Sequence, residues 1–405
     1  MVIITLYTPN TTDMSDLSDL KVFPLSSRLA NAPVAFVTYL VKTFMPNDMA
    51  VLYPFPDQIP LWQVLGASLL ILVISIAVIV MMKRLPYLFS GWMWFSITIA
   101  PVIGIIQISV TAQYAMADRY HYLPSIGLGV MLAWGIPALI RSEAIRKKII
   151  LPVAIAAIAI LAFLTWRQCG YWKDGMDLWN HTLKVTDYNW LAYNNRGNTY
   201  HHLGNYRQAI EDFNRAIEIK PDYAMAYYNR GSAYNRLGNY RQAIEDFDRA
   251  IKIKPNNAEA YNNLGNAHID LGNYKQAIED FNRAIEIKPG YADAYYNRGV
   301  AYGKLNQYQR AIEDYTEAIR RSPDDVDYYS NRGNVYTILG QYQRAIEDYN
   351  EAIRLKPDYA DAYYNRGVAY LLQGNKELGC SDAQKACILG NCKILEKAKS
   401  KGDCR

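Results

Sequence analysis

Apolar positions change rhythm once along this chain. Up to Trp166 they run together in blocks, at about Leu61 to Met82, Leu88 to Val110, Tyr122 to Ile140 and Ile149 to Trp166; beyond Trp190 they recur three and four apart among charged residues and tyrosines. Each block approaches the ~20 residues that carry a helix across a hydrocarbon core, so the pattern predicts four transmembrane helices over 61–166. Before them, Ala30 to Met45 is shorter, contains Tyr39 and Lys42 and stops at Pro46, which predicts an interfacial or re-entrant helix inside an external N-terminal segment, 1–60. The first 26 residues have neither a basic start nor a long apolar centre, unlike a signal peptide. Residues 167–189, with Tyr171, Trp172, Trp179 and Leu183, predict a short connecting helix that leaves the interface and docks on the polar half from Trp190 onward.

The second rhythm has a long period. Pro221, Pro255, Pro289, Pro323 and Pro357 recur every 34 residues, the period of stacked helical hairpins. The frames are 190–223, 224–257, 258–291, 292–325, 326–359 and a degenerate 360–393, followed by a tail, 394–405. Every frame has an aromatic at its fourth place (Tyr193, Tyr227, Tyr261, Tyr295, Tyr329, Tyr363) and a glycine at its eighth (Gly197, Gly231, Gly265, Gly299, Gly333, Gly367), so a bulky ring is expected to meet a small residue where two helices cross. Ala209, Phe213 and Ala216, with their counterparts one period on, make one apolar helix face, and the proline after it cannot continue the helix. These residues resemble tetratricopeptide repeats over half the chain. The resemblance implies an all-α fold, in which the transmembrane helices are followed by an α-solenoid wound as a right-handed superhelix. The sixth frame departs from the pattern, with Gly379, Ala383 and Asn391 where alanine, a large aromatic and proline stand elsewhere, as a capping repeat should.

Charge adds direction. Lys83 and Arg84 follow the first block, and Arg141, Arg146, Lys147 and Lys148 against Glu143 follow the third, whereas the loop after the second has only Asp118 and Arg119. Positive loops stay cytoplasmic, so the chain is expected to be a multi-pass integral membrane protein with its repeats on the extracytoplasmic side, in periplasm or lumen. The formal net charge of +5 is spread without a basic block, which argues against a nucleic-acid partner. Four of five cysteines, Cys380, Cys387, Cys392 and Cys404, crowd at the C-terminal end, either as disulfides in an oxidising compartment or as buried thiols. Cys380 and Cys387 stand two turns apart on one helix, roughly 10 Å by helical rise, so each needs a partner elsewhere. His201, His202 and His268 make no metal constellation, His121 and His181 are isolated, and no phosphate loop, nucleophile elbow or dinucleotide fingerprint occurs; neither metal nor cofactor is expected.

Four stretches of the membrane half resemble the repeat-bearing membrane glycosyltransferases typified by the transmembrane and tetratricopeptide-repeat O-mannosyltransferases: Ser27 to Ala32, Tyr53 to Pro56, Met116 to Pro124, and Tyr171-Trp172 with Leu178-Trp179 and Thr182-Leu183. The resemblance implies transfer of a sugar from a polyprenyl-phosphate donor to an acceptor protein held by the repeats. It covers the later part of that family's membrane domain, and Asp13, Asp16 and Asp19 do not reproduce the family's acidic catalytic motif, so a truncated or split member without catalysis of its own is the expectation. Arg119, with Tyr120 beside it, is the candidate for a lipid phosphate, since a guanidinium grips one bidentately; pairing with Asp118 is its structural alternative.

In the repeats the sixth place is always asparagine: Asn195, Asn229, Asn263, Asn297, Asn331 and Asn365. A row of primary amides offers donors and acceptors to a peptide backbone without reading its side chains, which makes a protein or peptide the expected partner beside the bilayer. Arginine at the seventh place, interrupted by Leu264, is expected to pair between layers with the Glu-Asp dipeptides of the second helices. Those dipeptides recur in five frames, whereas a catalytic acid pair would occur once.

Overall fold

The computed structural model describes residues 24–46, 49–50, 53–54, 59–101, 103, 114–116, 122–140, 142–400 and 403–404. Asp13, Asp16, Asp19, Arg119 and Tyr120 lie outside the described residues. The chain divides into two compact units, residues 1–203 with 218–220, and residues 204–217 with 221–405.

In the first unit, α1 (Leu25–Phe44) begins earlier than the apolar stretch implies and is no isolated surface helix. Its residues Ala32, Ala35, Phe36 and Tyr39, at helical spacing, are buried with Val78, Trp92, Phe95, Ile99 and Leu128 of later helices. Phe36 meets Trp92 and Phe95 edge-on at 5.6 and 5.1 Å. Lys42, the charge that argues against burial, donates to the Tyr53 hydroxyl in a short antiparallel pair between β1 (Tyr53–Pro54) and β2 (Tyr114–Met116).

Helix α2 (Leu61–Met81) matches the first apolar block, but α3 (Pro86–Ile99) covers only part of the second. Pro101, which has no N–H to donate, comes just after it, and residues 104–113 lie outside the described residues. Helix α3 packs on α4 (Tyr122–Leu139) through Gly91 and Gly127, where a β-carbon on either would fall inside the radius of the other's carbonyl oxygen. Only glycine permits that approach. Next, α5 (Glu143–Ile145) runs through a π-helical stretch, Arg146–Ile150, into α6 (Leu151–Gly170). Among the described residues two helices, Leu61–Met81 and Glu143–Gly170, are long and apolar enough to cross a membrane. Large side chains on both, such as Leu65, Val73, Ile158 and Phe163, stay exposed.

The connecting segment holds α7 (Gly175–Val185), whose first turn is closed by Asp174 accepting from the Asp177 amide at 2.8 Å. It packs on α8 (Trp190–His202), and Arg196 Nη1 donates to Asn180 Oδ1 at 2.9 Å, sixteen residues back.

The second unit continues with α9 (Tyr206–Ile219) and then hairpins: α10 (Ala224–Arg236) with α11 (Tyr240–Ile253), α12 (Ala258–Asp270) with α13 (Tyr274–Ile287), α14 (Ala292–Lys304) with α15 (Tyr308–Arg321), α16 (Val326–Ile338) with α17 (Tyr342–Leu355), and α18 (Ala360–Gln373) with α19 (Lys376–Ile388). The fifteenth residue of each frame turns the chain with positive φ, 77° at Gly238 and 71° at Gly340, and Asn306 at 57° stands in for glycine there. The glycine at the eighth place does face a ring, but one from the second helix of its own frame. A β-carbon on Gly265 would sit 2.6 Å from Phe281 Cε1, and one on Gly333 2.8 Å from Tyr349 Cε1. Spacing along the sequence shows which residues are small and which are bulky, whereas the crossing of two helices decides which of them meet.

The last repeat closes differently. Ala383 leaves the ring position empty, and Ile394 of α20 (Lys393–Ser400) takes it: its Cδ1 would lie 3.2 Å from a β-carbon on Gly367. Residues expected as a tail therefore form a capping helix in the cluster of Ala383 and Ala386. Disulfides Cys380–Cys404 and Cys387–Cys392 tie it down, with Cα separations of 5.5 and 3.9 Å.

Candidate functional site

In α12, α14 and α16 the sixth-place asparagine stands half-buried at the seam with the preceding repeat. Asn263 Nδ2 donates to Tyr228 Oη at 2.9 Å, Asn297 Nδ2 to Asn262 Oδ1 at 3.0 Å, and Asn331 Nδ2 to Tyr296 Oη at 3.1 Å and to the Asp327 carbonyl at 2.9 Å. The row is therefore structural on its donor side, holding successive first helices in register through the fifth place of the frame before. The carboxamide oxygens of Asn263, Asn297 and Asn331 accept no hydrogen bond among the described residues, so the row presents acceptors. Asn195 differs: its Oδ1 accepts from Asn194 Nδ2 at 3.3 Å. Asn229 and Asn365 are likewise half-buried.

The repeat pattern alone gives the fifth place no role. Its near alternation of amide and phenol, Asn194, Tyr228, Asn262, Tyr296, Ser330 and Tyr364, is the signal that marks it. Burial first, then the Asp327 and Asp325 carboxylates, push the Tyr296 phenol up to about 12, so it stays protonated beside the amide it accepts from. Second-place acids sit along the same helices and are already engaged: Asp293 accepts from Tyr328 Oη at 2.6 Å, Asp327 from Tyr359 Oη at 3.0 Å and Asp361 from Asn391 Nδ2 at 2.9 Å.

Seventh-place arginines take a structural role, with a different partner arrangement from the one expected. Arg298 forks onto Asp314 of its own repeat through Nε at 2.8 Å and Nη2 at 2.6 Å, and its Nη1 crosses the layer to Asn282 at 2.6 Å. Arg230, Arg332 and Arg366 repeat the arrangement with Asp246, Asp348 and Asp382, reaching back to Asn214, Thr316 and Asn350. The aspartates thus pair within a layer, the bond between layers goes to a neutral residue, and the neighbouring glutamates remain exposed. Burial pushes the Asp314 carboxyl up while the Arg298 fork pulls it back. The fourth-place tyrosines lie under these guanidinium groups, at 5.4 to 6.0 Å. Arg196 reaches back to Asn180 by the same sixteen-residue step, so α7 occupies the place of a second helix from a preceding repeat. Trp179 and Thr182 stand where later frames have Phe213 and Ala216.

Among the described residues no group of three His, Cys, Asp or Glu side chains is placed to hold a metal ion.

Models of the TPR repeat match residues 231–272, 265–306 and 333–374, and models of the tetratricopeptide repeat match 190–223, 292–325, 213–245 and 314–347. Solved structures similar to this chain include MamA, at 30% identity, covering 42% of this chain and 96% of that one with a TM-score of 0.38. YrrB, described as a TPR protein with an unusual peptide-binding site, is 25% identical, covering 47% and 99% with a TM-score of 0.41. MamA from Desulfovibrio magneticus RS-1 is 23% identical, covering 43% and 97% with a TM-score of 0.40. No curated protein matches the chain. Residues 190–374 are tetratricopeptide repeats.

Proposed function

We propose that this chain is a membrane-anchored interaction module that displays its repeats outside the cytoplasm and grips an extended segment of a partner protein along the asparagine row. The acceptor side of that row carries the reading. A peptide in extended conformation presents backbone N–H groups at regular spacing, and unclaimed carboxamide oxygens suit them whatever the side chains. Selection of random peptides on the full chain is therefore expected to return binders of unrelated sequence. Exchanging Asn263, Asn297 and Asn331 together for alanine should cost these peptides tenfold or more in affinity, at about 1 kcal/mol per lost hydrogen bond, with helicity retained. Undiminished binding by the triple variant would remove the row from the site.

Anchoring and side draw support from separate features. The exposed apolar surfaces of α2 and of Glu143–Gly170 suit hydrocarbon. Lys83 and Arg84 at the end of α2, and Arg146, Lys147 and Lys148 ahead of α6, favour the cytoplasmic face for those two ends. The paired cysteines of the cap favour an oxidising compartment. Protease added outside sealed cells should digest the repeats; protection until the membrane is opened would place them in the cytoplasm and overturn the assignment. A lipid-linked sugar transferase holding its acceptor on the same repeats would share the orientation, with Arg119 and Tyr120 at the donor phosphate. Sugar transfer from a polyprenyl-phosphate donor by the purified chain separates that reading from the module, which transfers none.

A further inference from the structure

One layer of the array lacks its guanidinium. Where four repeats fork an arginine onto an aspartate, the third has Leu264, packed at 4% exposure beside Phe247 and Ala267, and Asp280 is left without the fork. Two further places change with it. The residue that receives the cross-layer bond, asparagine or threonine elsewhere, is Asp248, and the eleventh place, tyrosine in every other frame, is His268. His268 Nε2 stands 3.8 Å from Asp280 Oδ2, with the two side chains 14% and 15% exposed. Asp280 Oδ2 and His268 Nδ1 are buried and have no hydrogen-bond partner.

We infer that Asp248, His268 and Asp280 form a proton-binding joint, in which a titratable proton takes the place of the guanidinium found in the sibling layers and holds α11, α12 and α13 together. Two carboxylates, the half-buried Asp280 and the exposed Asp248, face the place that other layers give to one carboxylate, one neutral acceptor and an arginine. The groups facing Asp280 are Asp248 from α11, His268 from α12 and Glu279 on its own helix; the guanidinium reaching α13 from α14, Arg298, is held by Asn282 and Asp314.

Three groups set the sign of the pH dependence, and Asp248, raised by burial and held back by His268, acts in the same direction as Asp280. Burial first, then Asp248 and Glu279, lift the Asp280 carboxyl from an ordinary 3.8 to about 7. The folded chain keeps a proton that the unfolded chain has released, so this contribution is complete below about pH 4 and is lost as pH rises through about 7. His268 works the other way: burial pushes it down from 6.5, opposed by Asp248, and its contribution is lost as pH falls below 6.5. The joint is tightest in mildly acidic solution and loosens towards pH 8.

The test is the thermal unfolding of the full chain in detergent between pH 6 and pH 8.5, for the wild type, Asp280→Asn and the double variant Leu264→Arg with Asp248→Asn. Wild type should lose on the order of 2–4 °C in Tm over that interval, and both variants should be flat by comparison, the amide because it cannot titrate and the double variant because it restores the fork. If the double variant fails to fold, Asp280→Asn decides alone. A Tm profile in Asp280→Asn parallel to wild type, or a wild-type Tm that rises with pH, overturns the inference.

Discussion

Replacing Arg298 with leucine should destabilise its part of the array by about 3 to 5 kcal/mol, the cost of leaving a buried carboxylate without its partner. Asp314 is 7% exposed and takes both fork bonds from Arg298, so no water shell is at hand to replace them. The accompanying exchange of Asp314 for asparagine should restore a large part of the loss, because it removes the stranded charge instead of its partner. Repeats contact mainly their neighbours, so the damage should stay near α14 and α15. Hydrogen exchange that accelerates there, with protection kept in α18 and α19, is the expected measurement; uniform acceleration across the array would show a single cooperative unit. Leu264 is the natural counterpart, and its layer shows what an absent arginine leaves behind: a carboxyl lifted to about 7.

Phe281 to alanine should cost about 3 to 5 kcal/mol in denaturant unfolding, as expected for removal of a fully buried ring. Gly265 makes the result diagnostic. Alone, Gly265→Ala should cost about 1 to 3 kcal/mol, because its methyl carbon would lie 2.6 Å from Phe281 Cε1 and the ring is held on all sides. In the Phe281→Ala background the same methyl enters vacated space and should cost little or even stabilise. Additive losses in the double variant would mean that the two residues do not meet as described.

Much of the repeat half is legible in the sequence because its signals are local and recur. The first place of each frame, at Ala224, Ala258, Ala292, Val326 and Ala360, coincides with the start of a helix. The hidden part depends on crossings between helices. Spacing assigns the ring facing each glycine to the fourth place, whose tyrosines instead lie under arginines, and it shows the amide row without the neighbours that claim its hydrogens. Ile394 is invisible for a different reason, since it replaces a missing ring from outside the frame. In the apolar half, composition marks which segments avoid water. It does not separate a helix that meets lipid from one such as α1, whose apolar face is spent on other helices.

Like modules stacked in a row have complementary faces, so an uncovered end offers itself to the opposite end of another copy, and repetition without closure leads to filaments. Here the C-terminal end is covered. Helix α20 plugs the last repeat with Ile394 under two disulfide ties. A copy arriving end to end on the last repeat would first have to displace a helix that is both packed and covalently tied, so growth from that end is opposed within the chain itself.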